Sequence, residues 1–487
     1  MHKLPAKRKQ LIKTLLIYVV MTLAVITIVT FIFFFVLGYR FNVDDGRIEQ
    51  YAFLQFDSKP TGAIVAVDGQ AVNSKTPNKL AVREGQHDVV ISKDGYQSWH
   101  KTVNVKAGTI TWLSYGLLMP VSTNIESLAN YVSVYSTLTA PKGNNMLVQE
   151  QANVPTFDLI DLNSDTIKST KLTIPVNIYS QSGVAGLDHT FKVIKWDDGG
   201  RYVLVYHTYG VNNEWLVMDT KDVAATKNIT RLLSVSISSI NFSGTSGNDF
   251  YALNSGDIRK LDLSAGTMSK PLVSNVSSFD VYNSNIITYV GIDVSGTGNQ
   301  TVGIYREGDS NQHILRTATS VDSVLRIATA HYYNDNYIAI SDGKKVDILN
   351  GNYPNTVADN LTSMKLFASF STTEDISTLS FSPTGEYVLV QSGSYFASYD
   401  LEHKNFVSSS IDGAGEVSQL KWLDDCYLWS DRDGKLVIRE FDGANAHNLG
   451  NVAVGQDVSL VSSGKYLYSI DKTSTGYQLQ RIQMTNK

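Results

Sequence analysis

Two stretches of similar sequence decide the fold: Ile194-Lys-Trp-Asp-Asp-Gly-Gly-Arg-Tyr-Val-Leu-Val205 and Leu379-Ser-Phe-Ser-Pro-Thr-Gly-Glu-Tyr-Val-Leu-Val390. In each stretch a strand ends in a bulky residue, a turn of small and polar residues follows, and an apolar strand begins at a tyrosine. Apolar runs rich in β-branched and aromatic residues, separated by such turns, are typical of β-strands. Each stretch therefore predicts two antiparallel strands joined by a tight turn.

The same unit recurs along the chain after about residue 122. Further copies of the second strand begin at Met146, Phe250, Ile286, Tyr337, Tyr427 and Tyr466. With the two clear copies this makes eight starts, spaced by about 46 residues, which is the length of one propeller blade. No amphipathic helix interrupts the series. The repeat therefore predicts a β-propeller.

A third strand follows each copy at a steady offset, and it also occurs eight times. The eight segments begin at Phe157, Trp215, Ile258, Val302, Val346, Phe396, Val437 and Gln478. Several of them end in aspartate, and we expect this residue to stabilise the turn into the outermost strand.

The last blade lacks sequence for its outermost strand, because only five residues follow Ile482. An open outer edge would leave the ring unsealed. The segment Tyr131–Tyr135 alternates correctly and precedes the first blade's own inner strand. We predict that it pairs with the third strand of the last blade and closes the circle.

The copy at Leu379–Val390 resembles the blades of WD40-like and TolB-type propellers. Those families share a fold and not a single activity, and no copy here carries a clean Trp-Asp dipeptide. The resemblance implies the general propeller class and no particular reaction. The number of repeats predicts eight blades, with seven as the alternative.

The N-terminus carries a basic segment followed by a long apolar one. Residues 1–13 contain five lysines and arginines and no acid, and residues 14–39 contain no charge at all. A transmembrane helix needs about 20 apolar residues, whereas the apolar core of a cleaved signal peptide has about 7–15 and is followed by small residues. The pattern predicts an uncleaved signal anchor. Because basic residues stay inside, we expect a cytoplasmic N-terminus and an exported body.

Dense turn signals follow a linker at residues 40–55. They are Pro60-Thr-Gly-Ala63, Asp68-Gly69, Thr76-Pro77, Gly85-Gln-His87 and Gly95-Tyr96. Short β-branched runs between them predict a small β-sandwich. Over about residues 56–113 this order resembles the PEGA domain, although Thr61 stands where that family usually has glutamate. The resemblance implies an extracytoplasmic binding or spacer module without catalytic residues.

Composition and motifs give little support to catalysis. The net charge of −5 shows no basic domain, which disfavours a nucleic-acid partner. P-loop, H-E-x-x-H, C-x-x-C and G-x-S-x-G patterns are absent from the sequence, and the nine histidines are scattered. Four features resemble functional motifs and are better explained as structural. They are the lone Cys426, the pair Gly296-Thr-Gly298, the loop Gly308-Asp-Ser310 and the turn Asp431-Arg-Asp433-Gly434.

These observations predict an all-β protein with one N-terminal transmembrane helix. The expected segments are a cytoplasmic tail (1–13), an anchor (14–39), a linker (40–55), a PEGA-like sandwich (56–118) and a propeller (119–487). We expect a binding or scaffold protein of the bacterial cell envelope, in contact with the membrane and with a protein or glycan. We expect no catalytic residues, cofactor or metal. A polysaccharide hydrolase or lyase and a purely structural envelope component remain the alternatives.

Overall fold

A computed structural model of the chain describes residues 6–42, 46–164, 166–181, 189–293, 298–353, 364–413 and 419–485. The chain divides into two compact units, Met1–Ser122 and Thr123–Lys487.

The first unit begins with helix α1 (Ala6–Val36). Its segment Gln10–Val36 has a mean hydropathy of 2.8 and is long and apolar enough to cross a membrane. A signal sequence near an N-terminus can have the same length and hydropathy. Threonine hydroxyls within it donate to the carbonyl four residues earlier, as Thr22 does to Tyr18 and Thr27 to Leu23. These bonds satisfy the hydroxyls without help from water, as a hydrocarbon environment requires.

A hairpin of β1 (Tyr39–Asn42) and β2 (Arg47–Gln50) leads into a small sandwich. The sandwich strands are β3 (Ala52–Lys59), β4 (Ile64–Val67), β5 (Gln70–Ala71), β6 (Asn78–Val82), β7 (Gly85–Ser92), β8 (Trp99–Val105) and β9 (Ile110–Leu117). One sheet has the order β6-β3-β9 and the other β5-β4-β7-β8. Alternate residues of β3 (Ala52, Leu54 and Phe56) are fully buried against Val65 and Ile91 of the facing sheet. This sandwich occupies the region predicted from the turn signals.

The second unit opens with β10 (Asn124–Tyr131) and continues in groups of four strands. Sheet 1 contains β11 (Ser136–Thr139), β12 (Asn145–Gln149), β13 (Thr156–Asp161) and β14 (Lys168–Thr173). Sheet 2 contains β15 (His189–Trp196), β16 (Tyr202–Tyr209), β17 (Asn212–Asp219) and β18 (Lys227–Asn228), followed by the short helix α2 (Ile229–Leu233). Sheet 3 contains β19 (Ser239–Phe242), β20 (Asp249–Asn254), β21 (Asp257–Asp262) and β22 (Thr267–Met268). Sheet 4 contains β23 (Val276–Tyr282), β24 (Ile286–Ile292), β25 (Gln300–Arg306) and β26 (His313–Thr317).

Sheet 5 contains β27 (Leu325–Tyr332), β28 (Asp335–Asp342), β29 (Lys345–Gly351) and β30 (Met364–Ser371). Sheet 6 contains β31 (Thr378–Phe381), β32 (Tyr387–Ser392), β33 (Tyr395–Asp400) and β34 (Asn405–Ser410). Sheet 7 contains β35 (Lys421–Trp422), β36 (Tyr427–Ser430), β37 (Lys435–Glu440) and β38 (His447–Asn451). Sheet 8 contains β39 (Ser459–Leu460), β40 (Tyr466–Thr473) and β41 (Gly476–Gln483), and β10 is its fourth strand.

Within the described residues of this unit there are thus eight four-stranded antiparallel sheets, the number that the repeat predicts. All eight predicted second strands and all eight predicted third strands are present. The closing aspartates cap the turns as expected, since Asp161 accepts from the Asn163 amide and Asp262 from the Ser264 and Ala265 amides.

Successive sheets pack face to face through apolar clusters. Leu147 of sheet 1 and Val203 of sheet 2 share one such cluster, and equivalent clusters join each pair through sheet 7. Sheet 7 meets sheet 8 through hydrogen bonds, including Gln480 Nε2 to the Asn451 carbonyl at 2.7 Å. Met146 of sheet 1 and Tyr468 of sheet 8 share the cluster that completes the ring. This is the arrangement of a β-propeller.

The predicted closure names the correct partner strand and the wrong segment. The strand that pairs with β41 is β10, and the pairing runs from Asn124↔Gln483 to Tyr131↔Tyr477. This strand begins seven residues before the predicted segment. Of the predicted segment Tyr131–Tyr135, only Tyr131 lies in the pairing. The following residues cross from the outer edge of sheet 8 to the inner strand of sheet 1, where the Tyr135 amide donates to the Gln149 carbonyl at 2.8 Å. The crossing needs these residues, so the closing strand has to lie earlier in the chain.

Candidate functional site

The antiparallel order gives every propeller sheet two distinct ends. At one end the first strand begins, the second strand turns into the third, and the fourth strand ends. We call this end of the ring the entry face. Hydrogen bonds between sheets hold equivalent ends together there: Gln149 Nε2 donates to the Phe191 carbonyl at 2.8 Å, and Gln391 Oε1 accepts from the Leu420 amide at 2.7 Å.

Exposed apolar side chains are distributed unequally between the two faces. Among the described residues of this unit, the large exposed hydrophobic side chains in turns and connections of the entry face are Val132, Tyr135, Val154, Val176, Val211, Leu232, Val321, Val324 and Val454. The opposite face carries one, Tyr333, within the same described residues. Folding alone gives no reason to concentrate exposed apolar residues on one face of a ring, and contiguous apolar surface marks interaction sites.

Seven of these side chains lie on three consecutive sheets, the last, first and second. We call this group the apolar arc, and it consists of Val454, Val132, Tyr135, Val154, Val176, Val211 and Leu232. Val211 is 99% exposed and occupies the two-residue turn between β16 and β17, and Val132 is 86% exposed in the crossing after β10.

A buried polar network fixes the connections beneath the arc in sheet 2. The Glu214 carboxylate is 2% exposed and accepts hydrogen bonds from the Ser180 amide at 2.7 Å and from Asn228 Nδ2 at 2.8 Å. It also contacts Nδ1 of the fully buried His207 at 2.9 Å, and Nε2 of His207 lies 2.8 Å from Nδ1 of His189. The network therefore ties the connection carrying Val176 and the start of α2, which carries Leu232, to the strands of sheet 2.

The charge on Glu214 is stabilised despite its burial. Burial alone would raise the pKa of Glu214, but the hydrogen bonds from His207, Asn228 and Ser180 outweigh it and lower the pKa to about 2. The carboxylate is thus ionised at neutral pH, and it accepts strong, charge-assisted hydrogen bonds. Such bonds restrict the motion of the connections that present the arc.

The central channel is lined by the inner strands and holds two polar clusters. Lys195 Nζ donates to Asn241 Oδ1 at 2.9 Å and to Asp280 Oδ1 at 3.0 Å, which links sheets 2, 3 and 4. Lys421 Nζ donates to Asp457 Oδ1 at 2.9 Å, and Asp457 Oδ2 accepts from the Thr139 amide at 3.0 Å. Each cluster joins inner strands across the channel wall.

Catalysis in the channel would need two carboxylates, or a histidine and a carboxylate, to act together. Asp280 and His331 line one cavity of about 280 Å³, yet Asp280 contacts Lys195 and His331 Nδ1 contacts Asn336 Oδ1 at 3.0 Å. The structure brings the two residues to one cavity and joins each of them to a different partner.

The motifs singled out in the sequence take the following positions. Cys426 lies half-buried in the turn before β36, where burial and then the Asp424 carboxylate raise the pKa of its thiol above the ordinary value. Gly308–Ser310 forms the turn between β25 and β26, and Asp433 lies in the short turn before β37. Gly296 lies outside the described residues. Among the residues that the structure does describe, no group of three or more histidine, cysteine or acidic side chains could hold a metal ion.

The apolar arc is not among the features predicted from the sequence. One signal was available, because a valine between glycine and asparagine in Tyr209-Gly-Val-Asn212, in a tight turn, has no core to enter. The other members lie in connections whose relative positions depend on the closed ring.

Residues 53–119 match the PEGA domain family. No curated protein matches the chain. Similar solved structures include the β-propeller domain of Cps50 (Swd1) from Myceliophteria thermophila, with 12% identity over 68% of this chain and 100% of that one and a TM-score of 0.41. They also include a prolyl endopeptidase (11% identity, 72% of this chain and 55% of that one, TM-score 0.46). An oligogalacturonate lyase from Vibrio parahaemolyticus is a third (8% identity, 74% and 97%, TM-score 0.40).

These likenesses concern the fold alone. None of these proteins' activities is transferred to this chain. The chain carries a PEGA domain at residues 53–119 and, after it, a β-propeller.

Proposed function

We propose that this protein is a membrane-anchored binding or scaffold protein of the bacterial cell envelope. Helix α1 would anchor it with the N-terminus in the cytoplasm, and both the PEGA domain and the propeller would lie outside the cytoplasm. The basic residues before Thr14 and the uncharged segment after it support this orientation. The alternative is that α1 is a signal sequence that is cleaved. Determination of the N-terminus of the mature protein would distinguish the two.

The propeller would bind a protein partner through the apolar arc. The observation that carries this proposal is the concentration of exposed apolar side chains on one face of the ring. Six of the seven arc residues are aliphatic. Burial of aliphatic side chains against another apolar surface is favourable, whereas a carbohydrate offers mainly hydroxyl groups. We therefore favour a protein over a glycan.

Binding, and not catalysis, is the activity proposed here. The network around Glu214 supports this role because it holds the connections of the arc in place before a partner arrives. A surface that is already ordered loses less conformational entropy on binding.

A comparison of two variants tests the proposal. The full-length protein is solubilised from membranes with its partners after chemical crosslinking, alongside the double variant Val132→Asp/Val211→Asp and the control Tyr333→Asp. All three substituted residues are strongly exposed, so we expect each substitution to leave stability within about 0.5 kcal/mol of the parent. The arc variant should lose partner proteins that the parent and the control both retain. Equal recovery from all three proteins would contradict the proposal.

A further inference from the structure

The two sides of the PEGA sandwich differ. On one side the segment before β8 bonds to the end of β9 and beyond: the Gln97 amide donates to the Met119 carbonyl at 2.7 Å, and the Val121 amide donates to the Gly95 carbonyl at 3.0 Å. On the other side the sheets end in the short strand β5 and in β6, and a cavity of about 540 Å³ lies between them. The sandwich is therefore sealed on one side and open on the other.

Strand β6 offers backbone hydrogen-bonding groups at the open side. The Phe53 amide donates to the Thr109 carbonyl at 2.9 Å, so Phe53 faces β9. Successive residues of a strand point their N–H and C=O groups to opposite edges. The backbone N–H and C=O of Leu54 therefore point towards its partner Leu80 in β6. The backbone N–H and C=O of Ala81, which lies opposite Phe53, point away from β3. The N–H and C=O of Ala81 thus lie at an edge of the sheet that no described strand covers.

The side chains of β6 divide between two environments. Leu80 and Val82 point inward and line the cavity together with Val67 and Val72. Lys79 in β6 and Arg83 just after it are exposed, and they lie at alternate positions to the apolar pair. Arg83 Nε lies 3.7 Å from the Glu49 carboxylate, so Lys79 is the cation on which the charge argument rests. Side chains directly opposite each other in a sheet share a face. A strand added to β6 would therefore alternate in the same way, between side chains that point into the cavity and side chains that point outward.

We propose that β6 binds an extended peptide segment in which apolar and acidic residues alternate. The peptide backbone would pair with the Ala81 edge. Its apolar side chains, opposite Leu80 and Val82, would enter the cavity, and its acidic side chains would lie on the outer face beside Lys79. This is strand addition, in which backbone bonds give affinity and pockets for alternate side chains give specificity. The site is independent of the apolar arc on the propeller.

Fluorescence polarisation with the full-length protein in detergent micelles tests the proposal. The probe is a labelled, terminally blocked Glu-Val-Glu-Val-Glu peptide, and the charge control is Lys-Val-Lys-Val-Lys. We expect the acidic probe to bind more tightly than the basic one. The substitution Lys79→Glu should weaken the acidic probe and strengthen the basic one. Equal binding of the two probes, or no saturable binding up to about 1 mM, overturns the proposal.

Two further measurements separate strand addition from insertion of a side chain alone. Ala81→Pro removes the outward N–H at an edge where proline is tolerated, and Ala81→Val keeps it. The loss of one backbone hydrogen bond should weaken binding by about fivefold in the proline variant and leave the valine variant close to the parent. If Ala81→Pro does not fold, as judged by its thermal melt, the parent protein with a probe N-methylated at the central glutamate gives the same test. Unchanged affinity for the N-methylated probe overturns strand addition.

Discussion

Tyr131 should contribute far more to propeller stability than the residues that follow it. Its side chain is 8% exposed and packs in the cluster that joins sheet 8 to sheet 1, together with Met146, Tyr468 and Leu479. Truncation of a large buried aromatic side chain to alanine costs about 3–5 kcal/mol through lost burial and the cavity left behind. We therefore expect Tyr131→Ala to lower the free energy of unfolding by this amount.

Two neighbouring substitutions serve as controls. Val132 is 86% exposed, so Val132→Ala should change the free energy of unfolding by no more than about 0.5 kcal/mol. Tyr135 is 42% exposed, and Tyr135→Ala should have an effect between the other two. This order follows from a closing strand that ends at Tyr131. A strand running from Tyr131 to Tyr135 would instead make both tyrosines equally important.

Urea unfolding of residues 123–487, followed by tryptophan fluorescence, measures these effects. Trp196, Trp215, Trp422 and Trp429 all lie in this unit, so the signal reports on the propeller. The slope with denaturant should stay the same for all variants if only stability changes. A loss below about 1 kcal/mol for Tyr131→Ala, or a larger loss for Tyr135→Ala, would refute the closure described here.

Three other predictions concern topology, metals and pH. Protease added to intact spheroplasts should digest the propeller and spare an epitope tag placed before Thr14, and protection of the propeller would contradict the proposed orientation. Thermal melts of the body with and without a chelator should coincide, and a drop of several degrees in the chelated sample would reveal a metal site. Because the folded pKa of Glu214 is lowered to about 2 from an ordinary value of 4.5, its contribution is present above pH 4.5 and is lost as the pH falls from there towards 2. That shift corresponds to about 3 kcal/mol. We therefore expect Glu214→Gln to lower stability at pH 7 and to flatten the loss of stability between pH 4.5 and 2. An unchanged loss of stability at acid pH would show that the carboxylate is not held as described.

The strands could be predicted from the sequence because their signals are local. Each second strand begins with an apolar residue after a turn, as at Tyr202 and Tyr387, and the turn chemistry separates it from its neighbours. The closing strand gave no such signal. Asn124–Tyr131 is largely exposed on the outer edge of sheet 8, so its sequence does not need the apolar alternation of an inner strand.

The candidate sites depend on relations that a single sequence does not contain. The apolar arc combines connections from the start, the middle and the end of the propeller unit, such as those carrying Val132, Val211 and Val454, and only ring closure brings sheets 8, 1 and 2 together. The peptide site depends on the gap between β5 and β6, which is a property of how the two sheets stack.

Site-specific photocrosslinking in living cells tests whether the propeller binds a protein through the apolar arc. A photoreactive amino acid is placed at Val211 on the entry face and, as the matched control, at Tyr333 on the opposite face. We expect a discrete crosslinked protein adduct from position 211, lost when Val132→Asp is added, and none from position 333. Adducts from position 333 alone, or equal adducts from both positions, would contradict binding through the apolar arc.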